Sequence, residues 1–378
     1  MDTKTRERLE AYILDLILRS TPRRTAWNME KIREGKQVDW NYIDGCMLNA
    51  LTVLTEITGD ERYFAFTREA ADCFVQPDGS ILTFDEEKRQ LDDFNEGRIL
   101  FPVFRKTGEE KYRKAAVRLH EALMRQPRTA EGSWWHKKIY PDQVWLDGVY
   151  MAQPFEAEYR LTFGDGDVAD LLRQIRTVHG NMRDPATGLY YHGYDASRKA
   201  FWADPETGLS RSFWLRAMGW FAAALADLCG ILPPSEGREE IAGILRQLME
   251  DVARYADPET GLYWQVVDQG GREGNYLESS GSSMMAYAML KGSRLGVLED
   301  RFRRQGQKTF EGLLDRLVWK DGRPELGGIC LVAGLGPENN RRRDGTYEYY
   351  ISEPVVQNDA KGVAPFVLCY TEIRQMDC

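Results

Sequence analysis

The chain contains the stretch TGDERYFAFTREAADCF from Thr58 to Phe74 and, about 50 residues later, the similar stretch TGEEKYRKAAVRLHEAL from Thr107 to Leu123. That spacing is close to the length of one pair of helices with its loops. Self-similarity of this length indicates stacked supersecondary units. The repeat therefore predicts that the chain is built from helical hairpins.

The periodicity of apolar residues supports helices along the whole chain. Leu9, Ile13, Leu16 and Ile17 have the spacing of one buried helix face. Similar patterns occur at residues 47–58, 98–105, 111–124, 149–161, 213–232, 239–255, 282–295 and 302–317. Convincing strand alternation is scarce. Around a dozen helices without an obvious linker predict an all-α fold, a closed α/α barrel, with an open solenoid as the alternative.

A second repeat marks the turns between these segments. DPATGLYYHGYD, from Asp184, is similar to DPETGLYWQVVD, from Asp257, and DPETGLS, from Asp204, is a third copy of the turn. Glycine and proline fall between the predicted helices, where turns are needed. Long aromatic loops and the absence of polar capping repeats favour the closed barrel over the solenoid.

The composition is that of a folded protein with a sizeable core. Of the 378 residues, 43% are hydrophobic and 29% are charged. A formal net charge of -9 argues against a nucleic-acid partner, which would require a basic stripe. An anionic small molecule is still compatible with this charge, because a few local arginines override a weak overall field.

Cysteine usage and the N-terminal segment predict the compartment. The six cysteines form no Cys-x-x-Cys pair, so neither a zinc site nor a redox motif is expected, and several are interpreted as small buried hydrophobes. The N-terminal residues are charged and then amphipathic, unlike a signal peptide. No segment approaches the roughly 18 consecutive apolar residues of a membrane span. We expect a cytoplasmic protein without membrane contact; the sequence does not indicate its oligomeric state.

Aromatic side chains concentrate in the predicted loops. The chain has 10 Trp, 18 Tyr and 15 Phe, and they cluster at residues 40–42, 134–135, 190–191, 201–202, 213–214, 263–264 and 347–350. Each aromatic alone is best explained by packing. As a set, beside Asp, His, Arg and Asn, they describe a pocket wall that suits the apolar faces and polar edges of sugar rings.

Two aspartates are candidates for chemistry. Asp147 lies within an apolar, aromatic run, HKKIYPDQVWLDGVYMAQPFEAEY, which begins at His136. An ionised carboxylate away from water is costly unless it is paired or takes up a proton. Asp147 therefore either caps the helix that it opens or is prepared to transfer protons. Asp92, in QLDDFNEGRILF, also opens a predicted helix and leaves the same two interpretations.

Histidine and arginine supply further candidates. His136 and His192 are two of only 4 histidines, and each follows aromatic residues. A lone histidine is more often a structural hydrogen-bonding residue than a catalyst. Arg216 lies between Trp214 and Trp220 on a predicted helix, where its guanidinium should be paired. Its partner is either an internal Asp or Glu or a substrate carboxylate bound in bidentate geometry.

Five motifs carry a resemblance to a known family. They are LDDFNEGRILF at Leu91, WWHKKIYPDQVWLDGVYMAQPF at Trp134, TGLYYHGYD at Thr187, TGLSRSFWLRAMGWF at Thr207 and RDGTYEYYISEPVVQNDAKGVAPF at Arg343. With these motifs the chain resembles glycoside hydrolase family 105, the unsaturated rhamnogalacturonyl hydrolases. The resemblance implies an α6/α6 barrel, which we expect to form a single catalytic domain over residues 1–378. It also implies a substrate, the short saccharides left by pectin lyases with a 4,5-unsaturated uronic acid at the non-reducing end. Family members remove that sugar, typically from rhamnose.

The motifs also imply roles for individual residues. Asp147 corresponds to the catalytic acid/base and Asp92 to the second carboxylate, although a shift of one residue would place Asp93 there instead. The positions implied around the unsaturated sugar are Tyr42, His136, Trp145, Met151, His192, Trp214, Arg216 and Trp220. Related proteins can carry an aromatic residue where this chain has Lys361-Gly362, which bears on the subsite of the leaving sugar. No metal or cofactor is implied.

The chemistry expected from this resemblance differs from that of an ordinary glycosidase, which places two carboxylates about the anomeric carbon. Here the C4=C5 bond is a vinyl ether, and Asp147 could protonate C4 and then accept a proton from the water that adds at C5. The apolar neighbours of Asp147 would favour its protonated form, whereas a helix N-terminus would favour the anion. Lys137, Lys138 and Arg211 compete with Arg216 for binding the uronate.

Three other functions fit parts of the pattern. A sugar epimerase on the same barrel would use His136 and His192 as acid and base at one carbon, which leaves the Asp147 motif unexplained. An inverting glycosidase would pair Asp92 with Asp147. A non-catalytic carbohydrate-binding protein would need only the aromatic loops.

Overall fold

The computed structural model describes residues 1–376, and α-helices dominate them. The fourteen α-helices within these residues are α1 (Thr3–Leu18), α2 (Met29–Glu34), α3 (Tyr42–Thr58), α4 (Glu61–Phe74), α5 (Leu100–Thr107), α6 (Glu110–Met124), α7 (Leu146–Thr162), α8 (Ala169–Met182), α9 (Leu215–Ile231), α10 (Glu236–Val252), α11 (Ser279–Arg294), α12 (Asp300–Leu314), α13 (Tyr347–Ile351) and α14 (Ala360–Met376). None of them is both long and apolar enough to cross a membrane.

Short strands and 3-10 helices occur between the α-helices. The strands form four antiparallel pairs: β1 (Gln143–Trp145) with β2 (Gly193–Asp195), β3 (Tyr263–Trp264) with β4 (Leu277–Glu278), β5 (Leu317–Lys320) with β6 (Arg323–Leu326), and β7 (Ile329–Cys330) with β8 (Val355–Val356). The 3-10 helices are Glu86–Lys88, Leu91–Phe94, Glu96–Ile99 and Ala253–Tyr255. These elements line the ends of the helical barrel rather than forming a sheet layer of their own.

Six inner helices form a closed ring. α7, α9, α11, α14 and α3 pack side by side in that order, and the 3-10 segments that lead into α5 fill the sector between α3 and α7. An outer helix covers each inner one: α4, α6, α8, α10 and α12 pack on the inner helices that precede them. The last outer position is taken by α1, whose Tyr12 hydroxyl donates to Asn358 just before α14. This arrangement is the α6/α6 barrel, so the predicted all-α fold is confirmed; the single domain stays a prediction.

The repeated stretches that open the sequence analysis are two copies of one helix–turn–helix junction. α3 ends at Thr58 and α5 at Thr107, and the next residues, Gly59 and Gly108, have φ angles of 71° and 70°. This left-handed conformation costs a glycine little, and it ends each inner helix so that the chain can return as an outer helix. The interpretation of the repeat as helical hairpins is therefore correct.

The Asp-Pro-x-Thr-Gly turns are equally regular. In each copy, at Asp184, Asp204 and Asp257, the aspartate carboxylate accepts hydrogen bonds from the backbone N–H and the hydroxyl of the threonine three residues later. The copies after α8 and α10 end an outer helix and lead into loops at one end of the barrel. Of the sugar-site candidates, His192 lies in the loop that follows the Asp184 turn.

Some elements differ from the periodicity. α3 begins at Tyr42, five residues before its apolar pattern, because the Asn41 side chain caps the backbone N–H groups of Ile43 and Asp44. α14 was not predicted, since the ring covers it on all sides and nearly every residue is buried, which removes the one-sided pattern.

The buried cysteines match the expectation of small hydrophobic residues. Cys46, Cys229, Cys330 and Cys369 are buried, Cys73 is partly buried, and these five are free thiols. Cys378 lies outside the described residues.

Candidate active site

The predicted site residues come from the N-terminal ends of the inner helices. Tyr42 opens α3, Asp147 and Arg216 lie in the first turns of α7 and α9, and Lys361 lies in the first turn of α14. The inner helices alternate with outer ones and run in the same direction, so their N-termini meet at one end of the barrel. The partial positive charges of these termini favour an anionic ligand there.

Asp147 does not cap its helix. Its carboxylate has no hydrogen-bond donor within residues 1–376, and α7 has no side-chain cap. β1 pairs with β2 so that Trp145 lies opposite Gly193, and the Leu146 N–H donates to the His192 carbonyl at 3.1 Å. This strand pair holds His192 beside Asp147, with 3.1 Å between His192 Nε2 and Asp147 Oδ2.

The contact between His192 and Asp147 has an ion-pair distance but not the alignment of a hydrogen bond. Both facing atoms are buried, and neither has a hydrogen-bond partner within the described chain. Leaving such atoms unsatisfied is costly. The pair is therefore arranged to receive a ligand group or water rather than to satisfy itself.

The Trp145 indole contacts both candidate histidines. It stacks on His136 at a centroid distance of 4.3 Å and meets the His192 ring edge-on at 5.3 Å. Tyr140 stacks on Trp145 at 4.8 Å and extends the platform. The aromatic wall expected from the sequence is thus present beside Asp147.

Asp92 lies in the 3-10 helix Leu91–Phe94 and is ion-paired. Lys137 Nζ lies 2.6 Å from Asp92 Oδ2, and His136 Nε2 lies 3.6 Å from Asp92 Oδ1. Burial raises the pKa of Asp92, but the charge of Lys137, with His136, more than offsets it, so the pKa lies below its ordinary value. Asp92 is therefore held as an anion.

Asp93 has a different environment from its neighbour. Its carboxylate accepts a hydrogen bond from Gln90 Nε2 at 2.7 Å, and its carbonyl accepts one from Trp40 Nε1. Burial raises the pKa of Asp93 to about 7. Of the two adjacent aspartates, Asp92 is the one that contacts His136 and Lys137.

His136 is a neutral base in this environment. Burial lowers the pKa of His136 to about 4, against a smaller opposing effect from Asp92. Its Nδ1 is buried without a hydrogen-bond partner within residues 1–376. Like the Asp147–His192 pair, it is a polar group left unsatisfied at the same end of the barrel.

Arg216 is buried, with only 1% of its surface exposed. Its Nη1 donates to the Ser280 hydroxyl at 3.2 Å and to the Cys330 carbonyl, and no carboxylate lies within 4 Å of the guanidinium among residues 1–376. Burial lowers the pKa of Arg216. Nearby groups, which include Cys330 and Glu278, raise it by more, so the pKa lies above its ordinary value. The prediction of an internal Asp or Glu in direct contact is not met, and the guanidinium keeps capacity for a bound anion.

The other predicted sugar contacts surround this point. The Trp214 ring lies 4.9 Å from the Arg216 guanidinium carbon and 4.7 Å from the His192 ring. Tyr42 meets Trp220 edge-on at 6.4 Å. Met151 is buried one turn after Asp147 on α7 and makes no polar contact in the described structure.

The competing cations are engaged elsewhere. Lys137 is paired with Asp92. Lys138 is exposed beside Glu87, and Arg211 is exposed and donates to the Phe201 carbonyl at 3.3 Å. Arg216 is the buried guanidinium at the N-terminal end of the barrel.

Two groups at the site were missed or left open by sequence reasoning. Tyr350, in α13, places its hydroxyl 2.7 Å from His192 Nδ1. Lys361 is buried and ion-paired with Glu30 at 2.7 Å and with Asp359 at 3.1 Å, and its ammonium lies 5.9 Å from the Tyr42 ring. The aromatic run at residues 347–350 was noted, but nothing local indicated which of its tyrosines would reach a histidine.

One cavity lies at the opposite end of the barrel from these residues. A cavity of about 320 Å³ is lined by the opposite ends of the same inner helices, including Asn49, Gly230, Lys291 and Gln375. Within residues 1–376, no group of three or more His, Cys, Asp or Glu side chains could hold a metal ion.

Comparison with known proteins agrees with this architecture. The sequence model described as Glycosyl Hydrolase Family 88 matches residues 19–377. The chain belongs to Glycosyl Hydrolase Family 88. This family 88 protein is also 40% identical to a solved glycoside hydrolase of family 105 from C. acetobutylicum, with a TM-score of 0.86 over 91% of this chain and 97% of that chain. The resemblance to family 105 is confirmed, and the protein is classed as a glycoside hydrolase.

Two curated relatives extend the comparison. Protein Atu3128 of Agrobacterium fabrum is 41% identical over 229 residues, which is 59% of this chain and 97% of that protein. The unsaturated rhamnogalacturonyl hydrolase YesR of Bacillus subtilis is 27% identical over 292 residues, which is 75% of this chain and 78% of YesR. The roles of the individual site residues in this family 88 hydrolase stay predictions.

Proposed function

We propose that this family 88 hydrolase removes the 4,5-unsaturated galacturonyl residue from the non-reducing end of rhamnogalacturonan-derived oligosaccharides. The observation that carries the proposal is the buried contact of 3.1 Å between Asp147 and His192, whose facing atoms have no hydrogen-bond partner in the described chain. Its likeness to YesR, an unsaturated rhamnogalacturonyl hydrolase, supports this choice of substrate.

In the first step Asp147, as a carboxylic acid, transfers its proton to C4 of the substrate. The C4=C5 electron pair forms the new C4–H bond, and the ring oxygen shares the positive charge that develops at C5. General acid catalysis of this kind contributes about 10²–10⁴ in rate. His192, beside the carboxylate, is placed to interact with the anion that remains.

In the second step water adds to C5, and the Asp147 carboxylate accepts the proton that the water loses. The resulting hemiketal opens to a ketone at C5, with the ring oxygen becoming a hydroxyl at C1. That hemiacetal then expels the remaining saccharide with its oxygen as an alcohol. The net change is addition of one water, and Asp147 ends the cycle protonated as it began.

Asp92 has a different role in the proposal. Because Lys137 lies 2.6 Å from it and its pKa is lowered, Asp92 is an anion at neutral pH and a poor proton donor. A fixed negative charge in a site with little water stabilises positive charge developing on the sugar ring. Asp92 therefore supports the oxocarbenium-like state, and Asp147 transfers the protons.

Arg216 binds the uronate carboxylate in this proposal. A guanidinium forms two parallel hydrogen bonds with a carboxylate, and burial strengthens them. Trp145, Trp214 and Trp220 supply apolar faces for the sugar ring, while Tyr42, His136 and Met151 complete its surroundings. The electropositive helix N-termini favour the same anionic group.

The position of Trp145 disfavours the epimerase alternative. An epimerase would need His136 and His192 to face one carbon from two sides without an obstacle. The Trp145 indole packs against both rings, which restricts the space in which both could face one carbon. Family membership also favours a hydrolase over a non-catalytic sugar-binding protein.

The test uses a lyase-generated rhamnogalacturonan disaccharide that carries the unsaturated uronate. Hydration removes the C4=C5 conjugation, so the ultraviolet absorbance of the uronate should decay with the wild-type protein. Asp147→Asn should reduce the rate by at least about 10³-fold while calorimetric binding of the disaccharide is retained. Asp93→Asn, in the adjacent motif, serves as the matched control and should keep most of the activity.

Three outcomes would contradict the proposal. Release of the saccharide without loss of absorbance would indicate an ordinary glycosidase. Full activity of Asp147→Asn would remove Asp147 from the chemistry. Steady absorbance with a panel of unsaturated galacturonyl saccharides would reject the proposed reaction altogether.

A further inference from the structure

Tyr350, His192 and Asp147 form a continuous chain of polar groups. The Tyr350 hydroxyl lies 2.7 Å from His192 Nδ1, and His192 Nε2 lies 3.1 Å from Asp147 Oδ2. Tyr350 and His192 are fully buried, and they are 158 positions apart in the sequence. The tyrosine thus contacts the imidazole nitrogen that faces away from the carboxylate.

The direction of the first hydrogen bond follows from burial. Desolvation raises the pKa of the Tyr350 hydroxyl well above its ordinary value, so the hydroxyl keeps its proton. Within residues 1–376, the one hydrogen bond of this hydroxyl is with His192 Nδ1. If Nδ1–H were the donor, the tyrosine O–H would be buried without an acceptor, which is unfavourable. Tyr350 therefore donates to Nδ1.

A neutral imidazole carries one proton, so a hydrogen bond accepted at Nδ1 places that proton on Nε2. We propose that Tyr350 is a positioning residue that sets the tautomer of His192 and so keeps the proton on Nε2, the nitrogen that lies beside Asp147. The inference rests on the proposed function, in which Asp147 transfers both protons. An N–H beside Oδ2 stabilises the carboxylate that remains after C4 is protonated, and it thereby assists release of the proton.

Few other charged groups lie near the series of Tyr350, His192 and Asp147. Tyr350 stacks on Trp214 at 5.6 Å with an interplanar angle of 12°, which holds the phenol ring independently of its hydroxyl. Besides Asp147, the ionisable groups whose charges act on the pKa of Tyr350 are Asp344, Tyr349 and Cys330. Burial raises the pKa of both Tyr349 and Cys330.

The charges of Asp147 and His192 also act on His136, and burial lowers the pKa of His136 to about 4. The fixed negative charges near these three residues are carboxylates. Within residues 1–376, no cation lies beside Asp147 that could take the place of the N–H at His192 Nε2.

The variant Tyr350→Phe tests the tautomer directly. It removes the hydroxyl and keeps the ring on Trp214. The matched control is Tyr349→Phe, because the neighbouring hydroxyl accepts a hydrogen bond from the Gly334 N–H at 2.9 Å and does not contact His192. Histidine-selective ¹⁵N NMR distinguishes the two tautomers, and the chain has only 4 histidines. A His192→Gln sample identifies the resonance of His192.

We expect the Nε2–H tautomer in the wild type and in Tyr349→Phe, and a shift of His192 towards Nδ1–H in Tyr350→Phe. A wild type in the Nδ1–H form, or no change in Tyr350→Phe, overturns the inference. This measurement needs no substrate. If the tautomer behaves as expected and no unsaturated saccharide is hydrated, the proposed function fails and the assignment of the tautomer stands.

Kinetics test the consequence for Asp147. Tyr350→Phe should lower kcat about tenfold with KM changed less than about twofold, because the lost donor acts after binding. An Nε2 lone pair facing Asp147 favours its protonated form, so the alkaline limb of the kcat profile should move to higher pH. Kinetics and a pH profile equal to those of Tyr349→Phe would overturn the positioning role.

Discussion

Lys137 and Asp92 form an ion pair in the wall of the candidate active site, with 2.6 Å between Nζ and Oδ2. Burial alone would raise the pKa of Asp92, and the lysine, with His136, brings it below the ordinary value. The charge of this carboxylate is therefore decided by a neighbour from another loop. Removing that neighbour should change the protonation of Asp92 rather than only its position.

We predict that Lys137→Met raises the pKa of Asp92, because burial then acts without its main opponent. A folded-state pKa below the ordinary value keeps Asp92 ionised as pH falls; in the variant the carboxylate takes up a proton at higher pH. The acidic limb of kcat/KM should move upward, and kcat/KM at neutral pH should fall about tenfold or more. Lys138→Met, at the exposed next residue, is the control and should leave the profile in place.

His136 should remain neutral in mildly acidic solution. Burial lowers its pKa from 6.5 to about 4. NMR titration of its ring protons, assigned with His136→Gln, should show a midpoint near 4, and a midpoint near 6.5 would contradict the buried environment.

The same shift affects stability. Between pH 6.5 and about 4 the unfolded chain binds a proton at His136 that the folded chain does not, so stability is lost as pH falls through this window. The contribution of this one group is roughly 3 kcal/mol. Urea unfolding of the wild type and of His136→Gln should show a weaker pH dependence in the variant over this range.

Arg216 should discriminate charged from neutral uronates. Arg216→Lys keeps a positive charge but not the planar fork that binds a carboxylate through two hydrogen bonds. We expect kcat/KM for the unsaturated disaccharide to fall about 100-fold. The preference of the enzyme for the free uronate over its methyl ester should fall together with kcat/KM. The control is Arg211→Lys, which changes an exposed arginine in the same way. An unchanged preference would assign the carboxylate to another group.

Asp227 stabilises the opposite end of the barrel. It is 2% exposed and pairs with Lys291 at 2.6 Å and Arg98 at 2.9 Å, while Tyr287 donates to it at 2.5 Å. Asp227→Asn leaves two largely buried cations without their carboxylate, which should cost about 3–5 kcal/mol of unfolding free energy. Urea denaturation checks the value. Asp300→Asn, which breaks only exposed pairs with Arg303 and Arg304, should change it little.

The Asp227 pairs also have a pH signature. Burial raises the pKa of Asp227, but Lys291 and Arg98 lower it to about 2 from an ordinary 3.8. A lowered pKa stabilises the fold above pH 3.8, and this contribution, roughly 2 kcal/mol, is lost as pH falls from 3.8 towards 2. Asp227→Asn should lack that part of the acid dependence; an identical acid limb in both proteins would contradict it.

Local patterns in the sequence predicted the fold well. The Thr-Gly junctions at Gly59 and Gly108 and the turns at Asp184 and Asp257 are short-range features, because capping, left-handed glycine and Asp–Thr bonds depend on residues a few positions apart. α14 escaped prediction because a helix surrounded on all sides has no polar face to mark its period. The start of α3 differed because a side-chain cap, not apolar spacing, sets where a helix begins.

By itself, the sequence determined the helical hairpins, the family and the candidate carboxylates, since these depend on local periodicity and on contiguous motifs. Only the tertiary structure decided the charge and partners of those groups. Tyr350 reaches His192 across 158 residues, and Lys361 reaches Glu30 across 331, because the barrel closes the last inner helix onto the first. Burial and ion pairing arise from that closure, so no local pattern encodes which aspartate is held as an anion.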